Sequence, residues 1–208
     1  MNWTIIYYYH KEPIHLKHLY SSNPLAQIIP IYLKADLPKN EAWKNSDRIL
    51  RQIIKDNDII NQIIYNNILL LEWDVYLNIP VPDLQFESYM AKYILSTPNN
   101  WCWWPEVKNM PQEFQEYAIG SPMFGVIAVK KYVLQELLND KYNTFFNLNI
   151  ISELRTPTII KSLGYTPSPF PDYFSQSIFD GPEHNLSTHN LTTHRYGIFH
   201  PIKHRLCL

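Results

Sequence analysis

Asn67-Ile68-Leu69-Leu70-Leu71-Glu72-Trp73-Asp74 is the stretch on which the fold turns. Four consecutive aliphatic residues leave no polar face, so the segment reads as a strand covered on both sides, the pattern of a parallel sheet under helices. Glu72 and Asp74 come at its carboxyl end, where open α/β sheets bind their ligands. If the strand continues through them, residues two apart point to the same side. Two carboxylates so placed repel each other, and a divalent cation relieves that; Mg²⁺ is commonly held by one or two carboxylates plus substrate phosphates. The same pair would also serve simply to solvate a strand end.

Outward from this strand, the pattern alternates. Ile5 to Tyr9 is a β-branched and aromatic run, read as a first strand. Pro13 suits the first turn of a helix carrying Leu16, Leu19 and Tyr20, which Asn23-Pro24 breaks. Ile28 to Leu33 is a second strand, and Pro30 inside it points to an edge or a bulge. Trp43 to Ile54 is helical, with Ile49, Leu50, Ile53 and Ile54 on one face. Tyr89 to Leu95 fits strand or helix. A loop from Asn99 to Pro105 holds Trp101, Trp103 and Trp104, and Pro111 to Tyr117 reads as a short helix. Met123 to Val129 is a buried strand, Lys130 to Leu138 a helix, and Ile150 to Leu163 a helix capped by Gly164. From Thr166 onward Pro, Ser, Asp, His and Asn dominate. Strands alternating with helices predict an α/β sandwich around a mostly parallel sheet. The expected organisation is one domain over 1–208, with 166–208 a loop-rich tail that folds back on the active site.

Composition narrows the function. The 208 residues carry 18 Lys+Arg against 19 Asp+Glu, too even for a broad basic face gripping nucleic acid. With 46% hydrophobic and 18% charged residues, the chain can bury a core. Its 5 Gly include no glycine-rich phosphate loop. Its 2 Cys, Cys102 and Cys207, cannot build a disulfide framework or a four-thiolate zinc site. Nothing approaches the roughly 18-residue apolar run of a membrane helix, and Met1 to Tyr7 lacks the basic start of a signal peptide. The expectation is a cytoplasmic protein with no transmembrane segment and no nucleic-acid partner.

Further clusters bear on chemistry. The tail holds His184, His189, His194, His200 and His204 at spacings that fit no zinc finger; a tail His would complete a metal site begun by Asp74, and Lys203 would meet a phosphate as a point charge. Its last part interleaves Ile198, Phe199 and Ile202 with His200, which predicts an anchored segment rather than a free end. Glu153 and Arg155 begin a helix, either as a favourably placed acid near its N-terminus or as a general base, Glu153, oriented by Arg155. Two glycines fall in Ala118 to Gly125, where Gly permits either a tight turn or close approach of backbone to a ligand. The three tryptophans fit a sugar-stacking platform or core packing under a long loop.

The order of these features resembles the nucleotide-sugar glycosyltransferases of the GT-A type. Glu72-Trp73-Asp74 stands where those enzymes carry an Asp-x-Asp motif, and His200-Pro201-Ile202-Lys203 resembles their late metal-binding His and phosphate-binding Lys. Glu153 lies where inverting members place a base. The resemblance implies a GT-A-like, Rossmann-type sandwich with helices on both faces. It implies a metal-dependent transfer of sugar from a nucleotide-diphosphate donor to a glycan or other acceptor hydroxyl. Asp74 and His200 would hold Mn²⁺ or Mg²⁺, Glu72, Gly125 and Lys203 would serve the donor, and Glu153 would be catalytic. Three departures stand out: Glu replaces the usual first Asp, the acidic motif comes early so the N-terminal half is abbreviated, and His194-Arg195-Tyr196-Gly197 resembles a pattern of some retaining members, leaving His194 as the other candidate ligand. The alternative function is a non-catalytic glycan- or protein-binding module built on the same fold. A metal-dependent phosphohydrolase would also use clustered carboxylates.

Overall fold

The computed structural model describes residues 2–9, 12–13, 15–33, 44–77, 79–98, 101–122 and 125–180, and the backbone of 198–200. Its centre is a six-stranded sheet in the order β2-β1-β3-β6-β5-β7. The strands are β1 (Trp3–Tyr9), β2 (Gln27–Tyr32), β3 (Asn67–Glu72), β5 (Tyr89–Ala91), β6 (Val126–Lys130) and β7 (Ser168–Pro169). β1 pairs in parallel with β2 and β3, β5 pairs in parallel with β7, and β6 is antiparallel to both its neighbours. Five strands therefore point one way and β6 alone runs against them. A second sheet joins β4 (Tyr76–Leu77), β9 (Ile198–His200) and β8 (Ile178–Asp180), with β9 in the middle.

Helices cover both faces. α1 (Leu16–Ser22) and α8 (Asp172–Ser175) send Leu19 and Phe174 into one apolar cluster with Trp3, Ile5, Tyr7, Leu69, Leu71 and Met90. The other face takes α2 (Ser46–Asp56), the short α3 (Ile59–Gln62), α5 (Lys131–Leu137), α6 (Asn143–Phe146) and α7 (Ser152–Ser162). Their Leu50, Ile54, Val133, Leu134, Phe146, Leu154 and Ile160 pack on Ile6, Tyr8, Ile68, Leu70, Ile127 and Val129. One short helix, α4 (Gln112–Gln115), lies between β5 and β6 in sequence. The alternation along β1 and β3 divides their side chains between the two clusters, which is why both strands are apolar without a break. Pro30 sits on the sheet's edge strand β2, where a missing ladder donor costs little. Gly164 follows α7 at φ +86°, the left-handed conformation of a helix-ending glycine.

Three short elements differ from the sequence reading. Tyr89 to Leu95 is strand only to Ala91, after which Leu95 forms an isolated bridge with Gly120. The strand expected from Met123 begins at Val126. The loop-rich region after Thr166 contains β7, α8 and β8, held by tertiary pairing that no local pattern announces.

α7 is anchored by charge. Arg155 is fully buried, and its Nε lies 3.2 Å from Oδ2 of Asp47 on α2. Its other N–H groups donate to the carbonyls of Phe146, Leu148, Ile150 and Lys44. Asp47 accepts in addition from Thr156 Oγ1 at 2.9 Å and from the Arg48 amide at 2.7 Å. Burial pushes the Asp47 carboxyl above its ordinary value, while Arg155, Thr156 and Arg48 pull it back. Removing one member of a buried pair strands the other charge, at a cost of about 3–5 kcal/mol. Asp47→Ala is therefore expected to lose roughly that much stability, read as a lower midpoint in urea unfolding followed by circular dichroism.

Candidate functional site

Strand order places the site. β1 leads through α1 to β2 on one side, and β3 lies on the other side of β1. The chain thus departs in opposite directions from the β1/β3 pair, and ligands of open α/β sheets bind outside the carboxyl ends at such a switch point. Those ends carry Tyr7, Tyr8 and Tyr9 on β1 and Glu72 on β3.

The strand stops at Glu72, and residues 73–74 form a turn closed by the Val75 amide donating to the Glu72 carbonyl at 3.0 Å. The expectation that Glu72 and Asp74 share one strand face is corrected by this turn. Both side chains are half-buried, and one oxygen of the Asp74 carboxylate is fully enclosed. β4 follows at once, and β9 pairs with it, Tyr76 opposite Phe199 and Leu77 opposite Ile198. Continued by one residue, this antiparallel register sets the backbone of His200 across from Val75, beside the acid turn. Lys203 and His194 lie outside the described residues.

Gly125 is joined to the same turn directly. It is buried just before β6, and its carbonyl accepts from the Glu72 amide at 3.0 Å. Because β6 runs against its neighbours, its first residue lies at the edge where the parallel strands end.

Glu153 occupies the first turn of α7, half-buried. Its carbonyl would ordinarily accept from the amide four residues on, but that residue is Pro157, which has no N–H. The Ser121 amide takes the vacant acceptor at 2.8 Å. Thr158 Oγ1 binds both the amide and the carbonyl of Ile119, at 3.2 and 3.3 Å. A proline inside a helix thus docks the 119–121 segment alongside Glu153. Arg155 does not orient Glu153, because its guanidinium is committed to Asp47 and backbone carbonyls on the core side.

Tyrosines of β1 flank the acid turn, and sequence reasoning missed them. The Tyr7 hydroxyl donates to the Trp73 carbonyl at 2.9 Å, holding the residue between the two acids. Burial raises the Tyr7 phenol above its ordinary value, so it stays protonated as a donor. Tyr8 faces the other cluster, opposite Glu72 in the β1–β3 ladder. Among the described residues its buried hydroxyl has no hydrogen-bond partner, a situation that costs on the order of 1–3 kcal/mol. Burial first, then the charges of Glu72 and Asp74, push that phenol well above its ordinary value. Nearby, the Tyr89 hydroxyl hydrogen-bonds with Ser121 Oγ at 2.8 Å. Tyr9 stacks on Tyr7, at 6.0 Å, and meets the exposed Tyr32 at a tilt, at 5.5 Å, forming an aromatic shelf over the ends of β1 and β2. From α1 and its cap, the buried His15 and the exposed His18 set their ring edges against Tyr76, at 5.2 and 5.3 Å, and so brace β4. The signal available in the sequence was the Tyr7-Tyr8-Tyr9 triplet at a strand end.

The tryptophans resolve toward packing. Trp101, Trp103 and Trp104 are half-buried against the α2/α7-side cluster. Among the described residues no group of three or more His, Cys, Asp or Glu side chains is assembled for a metal ion. Glu72 and Asp74 supply the hard oxygen donors that Mg²⁺ or Mn²⁺ takes when phosphates complete its shell.

The fold is similar to those of solved glycosyltransferases. A glycosyltransferase involved in glycosylation of the major capsid of PBCV-1 matches with 12% identity and a TM-score of 0.48, over 99% of this chain and 96% of that one. The galactosyltransferase LgtC, solved with donor and acceptor sugar analogues, matches with 12% identity and a TM-score of 0.47, over 98% of this chain and 90% of its own. GlyE of Streptococcus pneumoniae TIGR4 matches with 12% identity and a TM-score of 0.46, over 96% of this chain and 54% of its own. No protein-family model matches the chain, and no curated protein matches it in sequence. Among the described residues no helix is long and apolar enough to cross a membrane.

Gly120 has no room for a side chain, since a Cβ there would stand 2.4 Å from Cζ3 of Trp101. Gly120→Val should displace that ring, costing about 1–3 kcal/mol. The check is a drop in melting temperature accompanied by a shift in tryptophan emission.

Proposed function

We propose that this chain is a glycosyltransferase that moves a sugar from a nucleotide-diphosphate donor to an acceptor hydroxyl. The observation that carries the reading is the acid turn at the β1/β3 switch point, with Gly125 bonded to it and β9 beside it. A nucleotide lying across the carboxyl ends of β1 and β3 would meet the Tyr9/Tyr32 shelf at one end and the Glu72–Asp74 turn at the other. Aromatic faces suit a base by stacking. Carboxylates would repel a diphosphate unless a cation stood between them, which is why the reading includes Mn²⁺ or Mg²⁺ held by Asp74 and His200. The cation supplies Lewis-acid stabilisation of the charge that develops on the departing diphosphate.

The chain's own groups have separable tasks in this scheme. Glu72 contacts the ribose or a metal-bound water. The small Gly125 leaves room for the donor's sugar to approach the backbone. Lys203 neutralises a phosphate oxygen. Glu153 takes the proton from the acceptor hydroxyl in an inverting transfer. The bond of its carbonyl to the Ser121 amide, in the stretch of chain that leads to Gly125, supports a place for it on the acceptor side.

Two substitutions test the scheme. Asp74→Asn should abolish Mn²⁺-dependent binding of a nucleoside diphosphate in calorimetry while leaving the circular dichroism spectrum intact; wild-type binding by the variant refutes the metal assignment. Glu153→Gln should keep donor binding and lower turnover by about 10²–10⁴, measured in a nucleotide-sugar screen with Mn²⁺. A fall in binding equal to the fall in turnover would remove Glu153 from the chemistry.

A further inference from the structure

We infer that Tyr7 is a positioning residue for Asp74, its hydroxyl fixing the Trp73–Asp74 peptide from which the carboxylate assigned to the cation departs. The inference rests on the transferase reading and deepens it. Direct contacts carry it. The Tyr7 hydroxyl donates to the Trp73 carbonyl at 2.9 Å. The same oxygen accepts from the backbone of His15, the N-cap residue of α1. One hydroxyl therefore joins the end of β1, the start of α1 and the acid turn. Beyond Asp74, the Val75 amide donates to the Glu72 carbonyl at 3.0 Å, and Val75 and Tyr76 are buried. Before it, the Glu72 amide donates to the Gly125 carbonyl at 3.0 Å.

The hydroxyl works where the sheet no longer does. The β1–β3 ladder ends with Tyr8 opposite Glu72, and the next residue of the β3 side, Trp73, is already in the turn. Tyr7 carries the connection between the two segments one residue past the ladder, by side chain instead of backbone. A peptide unit is planar, so holding the Trp73 oxygen sets the direction of the following N–H and the place of the Asp74 Cα. Val75, closed onto Glu72 and sunk in the core, fixes the chain on the other side of Asp74. A carboxylate that leaves a backbone clamped from both sides meets a cation without first ordering its own loop.

Ring and hydroxyl have separable tasks. The ring is 1% exposed, packs with Trp3, Ile5, Leu69 and Leu71, and stacks on Tyr9. Phenylalanine keeps nearly all of that, because it differs only by the oxygen. What phenylalanine loses is the grip on the turn. Groups that orient a metal ligand typically change metal affinity by about 10- to 100-fold when they are removed. Tyr7→Phe therefore separates a role in packing from a role in placing Asp74.

The experiment compares wild type with Tyr7→Phe at a temperature where circular dichroism shows both folded. Calorimetry with uridine, guanosine or adenosine diphosphate is repeated over a series of Mn²⁺ concentrations. The Mn²⁺ needed for half-maximal nucleotide binding is expected to rise about 10- to 100-fold in Tyr7→Phe. At saturating Mn²⁺ the variant's nucleotide affinity should return to the wild-type value, because the defect lies in holding the cation. A general disturbance of the pocket would not respond to metal in this way. An unchanged Mn²⁺ requirement overturns the inference. So does an affinity that stays low at saturating Mn²⁺, and so does a Tyr7→Phe protein that fails to fold, since the hydroxyl is then a structural prop. Each of these leaves the transferase reading standing. If the wild-type chain binds none of the three nucleotides with Mn²⁺, the transferase reading fails and the inference goes with it.

Discussion

The guanidinium of Arg155 ties together parts of the chain that lie far apart in sequence. It sits at the start of α7 with no solvent exposure, facing Asp47 on α2 and the carbonyls of Phe146, Leu148 and Ile150 just before its own helix. The planar fork matters, because lysine could not reach acceptors on several sides at once. With a charge buried this deeply, the geometry around it admits little variation: each missing acceptor leaves a donor stranded in an apolar layer. The orientation of α7 follows, and with it the position of Glu153, about half a turn away on the helix, and of the 119–121 segment that binds along the helix. Structure at the carboxyl edge of the parallel strands therefore depends on an ion pair buried on the core side of α7.

Much of the architecture was legible because burial on both faces leaves an unbroken apolar signature. β1, β3 and β6 fit that description, and α2 and α7 have the length and periodicity of ordinary amphipathic or buried helices. β4, β7, β8 and β9 were not legible. Strands of two or three residues exist only because a neighbour offers hydrogen bonds, and nothing in Ser168-Pro169 or Tyr76-Leu77 encodes that locally. The acid pair was singled out by its place at the end of a buried strand, and the structure puts Glu72 at the end of β3. That Asp74 lies in a turn rather than on the strand was invisible, since one residue decides it.

Side-chain roles were harder still. Arg155 near a helix start looks the same in sequence whether it points to solvent, to Glu153 or into the core, and the burial that settles it comes from α2, more than a hundred positions away in the chain. The tyrosine triplet on β1 reads as strand propensity, yet Tyr7 and Tyr8 leave on opposite faces, Tyr7 to bond the Trp73 carbonyl and Tyr8 to enter the core cluster under α2 and α7. Pro157 would have been taken as a flaw in its helix. Its missing amide is what opens the Glu153 carbonyl to Ser121.

The reversed direction of β6 has an architectural consequence. β5 delivers the chain to the carboxyl edge of the parallel strands at Ala91, and β6 receives it back at the same edge at Val126. The described residues between 92 and 125, the tryptophans and the docked 119–121 segment included, therefore belong to one excursion whose two ends meet the sheet at the same edge. Such an excursion can lengthen, shorten or be exchanged without altering any strand's register, because its two anchor points are adjacent. That makes it the part of this scaffold whose length the sheet constrains least.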